Sequence, residues 1–336
     1  MSPTSVFASR RLAPLRLASR ACALTLALAL GACNFAGASS PPDAGAGARA
    51  LLVATTRAPA DDPGAAPFFG TERGAGLAFA QATLAPPSEG VLATLSPFTA
   101  RWGVVGVGPV VTAEPSQAFA RAALGRDVLV YVHGYRETFE TAASGAAELA
   151  EGIGFRGATG LFTWPSGGAT FDYGYDRESA LWSRDALETL ILTLAQSESG
   201  GRVHIVAHSM GSLLTLETLR SVRGSGGDAA MARIGAVVLA SPDVDIDLFA
   251  QGIERLGVDA QRITVITAEN DRALALSRRL AGGVVRAGAA DRARLADLGV
   301  RVADASEFGS GILNHDLFLR DPDVRAVVAR AIERAR

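Results

Sequence analysis

The stretch Arg202-Val203-His204-Ile205-Val206-Ala207-His208-Ser209-Met210-Gly211-Ser212-Leu213-Leu214-Thr215-Leu216 decides how this chain reads. Its first part is an apolar run rich in β-branched residues; its second carries Leu213, Leu216 and Leu219 at helical spacing until Gly224 offers a stop. The junction falls at Ser209, between the small residues Ala207 and Gly211. This is the strand-turn-helix pattern G-x-S-x-G, whose flanks are small because strand and helix pass closely there; Ala207 adds one methyl to the usual first glycine. A serine hydroxyl is a poor nucleophile until a base takes its proton, and it must stand clear of the backbone to reach a carbonyl carbon. Such a turn provides that exposure. The competing reading is a serine that merely caps the helix, and the strand ahead with the helical pattern behind weighs against it.

Working outward, the segments at 128–132, 161–164, 236–240 and 263–267 repeat the apolar character of 203–207, with helical patterns between them. Near-continuous apolar strands separated by helices indicate a parallel sheet covered on both faces. A further short run lies at 300–303. The last helix opens at Asp321-Pro322, with Val324, Val327, Val328 and Ile332 on one face. Ahead of Arg126 the pattern is different: short runs at 51–55, 77–80, 91–95 and 104–111, broken by Gly and Pro, read as antiparallel strands and loops. The fold class is therefore α/β, with N-terminal antiparallel strands. No repeat of fixed period occurs.

At 336 residues, 49% hydrophobic and 20% charged, the chain can bury a sizeable core. The net charge of −2 and the absence of lysine argue against a nucleic-acid partner. Residues 1–32 read as a secretory leader: Arg10, Arg11, Arg16 and Arg20 precede an apolar run at 21–30, too short for a bilayer span of about 20 residues. The run ends in Leu30-Gly31-Ala32-Cys33, which resembles the lipobox of bacterial lipoproteins, so Cys33 is the expected lipidation site and the membrane an expected partner. Asn34 after it fits, by the same resemblance, sorting to the outer membrane facing the periplasm. Residues 33–49 then form the anchor and a Gly/Pro-rich tether, and 50–336 the folded domain. With Cys22 and Cys33 the only cysteines, the domain holds no internal disulfide.

In a parallel sheet, functional groups gather beyond the carboxyl ends of the strands. There lie His133-Gly134-Tyr135, Trp164-Pro165-Ser166, Ser209, Asp243 with Asp245 and Asp247, and Glu269-Asn270-Asp271. The chain has four histidines, His133, His204, His208 and His315. His204 lies mid-strand and reads as packing; His208 is the serine's own neighbour. Four scattered histidines and no usable cysteine give no metal site. No phosphate-cradling loop is present either, since Arg223-Gly224-Ser225-Gly226-Gly227 follows no strand and lacks a lysine, and reads as a helix stop and loop. No cofactor is expected.

The order Ser209, Asp271, His315 resembles that of the α/β-hydrolase fold. More narrowly, the chain is similar to a branch of uncharacterised bacterial α/β hydrolases with serine esterase and lipase relatives, through the blocks ending in Arg57, His133-Gly134-Tyr135, Thr163-Trp164-Pro165-Ser166, Tyr175-Asp176-Arg177, Ala207 to Gly211, Ser241-Pro242-Asp243 and Asp271-Arg272-Ala273-Leu274. The resemblance implies Ser209 as nucleophile, His315 as base and Asp271 as the acid, since the family places the acid after the second strand beyond the nucleophile. It implies the amides of Met210 and Tyr135 as oxyanion donors, supported by His133, Gly134 and Gly211. Trp164 and Tyr175, which follow the neighbouring strand, are candidates to line a substrate pocket, against the reading of Trp164 as core and Tyr175 as loop packing. The activity so implied is hydrolysis of a small-molecule or lipid carboxylic ester through an acyl-enzyme. The same triad serves amidases, peptidases and thioesterases, and a non-catalytic outer-membrane interaction protein on this scaffold is the alternative of a different class.

Overall fold

Segments that are apolar on both faces of the chain must be covered on both sides, and the central strands of this protein are. The computed structural model describes residues 47–62, 64–87, 101–110, 114–123, 125–168, 172–197, 201–308 and 314–335. The leader, Cys33 and the strand expected at 91–95 lie outside the described residues. Strands β4 (Val128–Val132), β5 (Ala158–Thr163), β6 (Val203–His208), β7 (Ile234–Ala240) and β8 (Ile263–Thr267) are buried at every position but one. They run parallel, and the short edge strand β9 (Arg301–Asp304) extends them beyond β8.

On the other side, β1 (Arg49–Pro59) pairs in parallel with β5, setting Leu52 beside Gly160 and Thr55 beside Thr163. It is also antiparallel to the long β2 (Phe69–Ala85), which pairs antiparallel with β3 (Gly103–Pro109). The result is one nine-stranded sheet in the order β3-β2-β1-β5-β4-β6-β7-β8-β9. The antiparallel region expected from the sequence is thus the flank of a mostly parallel sheet.

Ten helices complete the described fold: α1 (Pro115–Ala122), α2 (Phe139–Gly152), α3 (Tyr173–Trp182), α4 (Arg184–Gln196), α5 (Met210–Arg233), α6 (Ile246–Leu256), α7 (Arg272–Leu280), α8 (Arg292–Ala296), α9 (Leu317–Arg320) and α10 (Pro322–Arg334). Phe139 and Leu149 of α2, Phe318 of α9 and Val328 of α10 cover one face of the sheet. Leu190 of α4, Leu213 and Leu216 of α5 and Phe249 of α6 cover the other. Asp321 caps α10 through the amides of Asp323 and Val324, as its sequence leads one to expect.

The stop expected at Gly224 is corrected. Helix α5 continues through it and bends only at Gly227, whose φ of 58° breaks the helical run before Arg233. Tertiary contacts outweigh the helix-weakening glycines here: Ser221 and Ser225 both donate to the Glu188 carboxylate of α4, and Arg223 pairs with Asp259 at 3.0 Å.

Candidate active site

Ser209 sits between β6 and α5 with φ 51° and ψ −119°, a conformation that costs a non-glycine residue about 1–3 kcal/mol. The turn is held by its neighbours. Ser209 N–H donates to the carbonyl of Ala240 at the end of β7, and its own carbonyl accepts from Ser212 and Asp243. The hydroxyl makes no capping hydrogen bond, so helix capping does not account for the residue. Gly211 has a steric reason: a Cβ there would run into the carbonyl oxygens of His133 and Val132. Met210 N–H, the first amide of α5, has no acceptor within the helix.

Across the turn, His315 Nδ1–H donates to Asp271 Oδ2 at 2.6 Å, which leaves Nε2 as the acceptor nitrogen. Asp271 is doubly fixed, because its other oxygen caps α7 through the amides of Ala273 and Leu274. Burial alone would raise the Asp271 pKa, but the bond and charge of His315, with those two amides, hold it below the ordinary value. For His315 burial lowers the pKa, and the bond and charge of Asp271, then the charges of Asp316 and Asp243, outweigh it and leave it above 6.5. His208 packs on His315 with ring centroids 4.5 Å apart. Burial and the nearby His315 push it down to about 4, so it is neutral at pH 7, and its Nε2–H donates to the His315 carbonyl at 3.2 Å.

The other carboxylates have different occupations. Asp243 accepts from Tyr173 and Ser277 and pairs with the buried Arg286 at 3.1 Å. Asp245 caps α6 through Asp247 and Leu248 amides, and Asp247 pairs with Arg294. Among the carboxylates of the described residues, only Asp271 is hydrogen-bonded to the His315 ring.

Facing the serine is the turn His133-Gly134-Tyr135-Arg136. A Cβ on Gly134 would lie 2.8 Å from His208 Nδ1 and 3.0 Å from Ser209 Cβ, so the close approach requires glycine. His133 is fully buried, stacked on Trp164 at 4.8 Å and 11°. Trp164 N–H donates to His133 Nε2, which fixes the proton on Nδ1, where it donates to the Gly134 carbonyl. Burial, with the charge of Arg57, drives the His133 pKa well below its ordinary value. Arg57, at the end of β1 and 2% exposed, donates to Thr163 Oγ1, to the Gly70 carbonyl and to the Glu137 carbonyl. A buried guanidinium therefore ties β1, β2 and β5 to the loop opposite Ser209.

Ser209, His208, His315 and Tyr135 open into one cavity of about 320 Å³. Tyr173, Asp243 and Ser277 line it, and Leu274, Leu276 and Leu280 of α7 give it an apolar wall.

Residues 115–335 match the family described as alpha/beta hydrolase of unknown function (DUF900). The chain belongs to that family. This α/β hydrolase is also 36% identical over 61 residues to the uncharacterized protein alr1448 of Nostoc sp., a match that spans 18% of this chain and 16% of the relative. Among solved structures it is similar to an uncharacterized protein from Bacillus cereus at 13% identity, covering 63% of this chain and 60% of that one with a TM-score of 0.41. It is also similar to the catalytic core domain of an acetyl xylan esterase from Trichoderma reesei at 12% identity, covering 64% and 100% with a TM-score of 0.41.

Two pocket expectations are corrected in the hydrolase. Trp164 is fully buried beneath the Gly134 turn, its Nε1–H donating to the His133 carbonyl, and does not line the cavity. Tyr175 points to the opposite side of α3, donating to the Thr71 carbonyl with Arg73 over its ring. Sequence reading missed Arg136, Arg272, Leu276, Leu280 and Asp316, all at the cavity. Arg272 lies in the Asp271 block and Arg136 directly follows Tyr135, so adjacency in the sequence was the available signal. His204 is buried in β6 and accepts from the Ala236 amide, a packing role.

Proposed function

We propose that this α/β hydrolase cleaves carboxylic esters of small molecules or lipids by two-step acyl transfer. The observation that carries the reading is the Asp271–His315 bond at 2.6 Å beside a strained serine in the same cavity. His315 Nε2 takes the Ser209 proton, the oxygen attacks the ester carbonyl, and the proton then passes to the leaving alcohol. Water, activated by the same nitrogen, releases the acid. Asp271 keeps the proton on Nδ1 and stabilises the imidazolium. The amides of Met210 and Tyr135 receive the oxyanion, each worth about 3 kcal/mol of barrier. A fluorophosphonate probe is expected to label the wild type and not Ser209→Ala, with ester turnover lost alongside. Labelling that persists at another serine would move the nucleophile elsewhere.

We further propose that residues 1–32 are a leader and that Cys33 carries acyl chains, anchoring the hydrolase in the outer membrane toward the periplasm; Leu30-Gly31-Ala32-Cys33 supports this reading. Cys33→Ala is expected to appear in the soluble or unprocessed fraction. A processed variant that still pellets with membranes would overturn the anchor.

A further inference from the structure

The cavity beside Ser209 is lined by charged groups of both signs. Of its carboxylates, Asp243 pairs with Arg286 and Asp316 lies 3.7 Å from Arg320, while Glu137 accepts from the Thr141 hydroxyl. Among the described residues, neither Arg136 nor Arg272 takes part in an ion pair, although both line the cavity.

Each also stands where its backbone position disfavours it. Arg136 has φ 63°, a region in which glycine or asparagine costs less, and is held there by the Asp176 carboxylate accepting its N–H at 3.3 Å. Arg272 is the first residue of α7, at the positive end of the helix dipole, where an anion is favoured and a cation is not. The two arginines thus come from opposite flanks of the serine, one following Tyr135 in the chain and the other following Asp271, and both are exposed. Leu276 and Leu280 follow Arg272 at intervals of four on the same face of α7 and are 46% and 54% exposed while lining the cavity.

We propose that Arg136 and Arg272 form an anion subsite, so that the ester this hydrolase turns over carries a carboxylate or phosphate near its scissile carbonyl. The guanidinium fork suits both groups through paired hydrogen bonds. The apolar wall of α7 then takes a hydrocarbon part of the same substrate. This inference rests on the acyl-transfer reading above and names the substrate class for that site.

The test compares 4-carboxyphenyl butyrate with its neutral isostere 4-carbamoylphenyl butyrate, for wild type, Arg136→Gln and Arg272→Gln. The ratio of their kcat/KM values removes intrinsic leaving-group reactivity, and it should fall about tenfold in each variant. A ratio within twofold of wild type in both, with no arginine-dependent preference in the micellar arm below, overturns the subsite. Arg136→Gly, which suits the positive φ, repeats the measurement should the glutamine variant fail to fold. Calorimetry with the uncleaved amide analogues 4-butanamidobenzoate and 4-butanamidobenzamide separates the two claims. An arginine-dependent preference for the benzoate without turnover of either ester upholds the subsite and overturns the esterase reading; no preference either here or in the micelles overturns the subsite whatever the turnover. A micellar arm sets phosphatidylglycerol against neutral diacylglycerol. An arginine-dependent preference there alone assigns the anion to a lipid headgroup, one with the aryl esters alone assigns it to a soluble ester, and either result upholds the subsite.

Discussion

The two flanks of Ser209 are built on different principles. The flank carrying Gly134 and Tyr135 rests on buried groups, with Arg57, Thr163, His133 and Trp164 locked by bonds between fully enclosed atoms. The flank carrying Asp271 and His315 has one buried contact at its centre and an open surface around it, since the His315 side chain is 15% exposed and Leu276 and Leu280 stand largely in solvent. Donors that must meet a developing oxyanion need fixed positions, because reorganising them during the reaction would raise the barrier. A surface that selects among substrates tolerates change. On the acyl-transfer reading proposed above, the first flank serves the chemistry and the second, outside the Asp271–His315 pair, serves substrate choice.

The largest effect that would sharpen this contrast is at that pair. Asp271→Asn should lower kcat by about three to four orders of magnitude with little loss of stability, while Asp243→Asn should be far milder. The pH profile supplies a second reading. With neutral His315 as the proposed base, kcat/KM falls as the pH drops below its pKa, which lies above 6.5. Removing the Asp271 charge leaves burial, which lowers that pKa, so the acid limb of the residual activity should move to lower pH. If Asp243→Asn is instead the dead variant, the division of the carboxylates fails.

Next in size is the buried flank. Arg57→Lys keeps the charge but loses the fork that reaches Thr163, Gly70 and Glu137 together. Unfolding free energy should drop by about 2–3 kcal/mol, and fluorophosphonate labelling should slow about tenfold although Arg57 touches no reacting group. Unchanged labelling would show that the loop holds its place without support. The smallest effect belongs to the open flank: Leu276→Ala should leave stability within about 0.5 kcal/mol and raise KM for an octanoate ester severalfold, with kcat little changed. A slowing of fluorophosphonate labelling equal to that at Arg57 would erase the distinction between the flanks.

The contrast also explains what the sequence made legible. The parallel strands, the Ser209 turn and the family order of Ser209, Asp271 and His315 were readable because each is written locally, as an apolar run, a pair of small flanks or a residue after a strand. Arg57 was visible only as part of a resemblance. Its contacts join residues 13, 80 and 106 positions away, and no local pattern encodes them. Trp164 stayed open for the same reason: a large aromatic after a strand reads as pocket wall or as core, and the packing of His133 upon it decides for core. The Gly224 stop failed because the serines that hold α5 to α4 act across the fold rather than along the helix.

The insertion of β1 between β2 and β5 sets a boundary for anyone trimming the chain. Residues 115–335, the part that matches the family, contain Ser209, Asp271, His315 and both arginines of the cavity. Cut there, the sheet would end at β5, whose outward row of amides and carbonyls now pairs with Leu52 to Thr55. A bare parallel edge of that kind is a template for pairing with another molecule, and aggregation follows from it. The first three strands thus act as a selvedge: none of Ser209, Asp271 and His315 lies on them, yet they keep the woven part from fraying onto its neighbours.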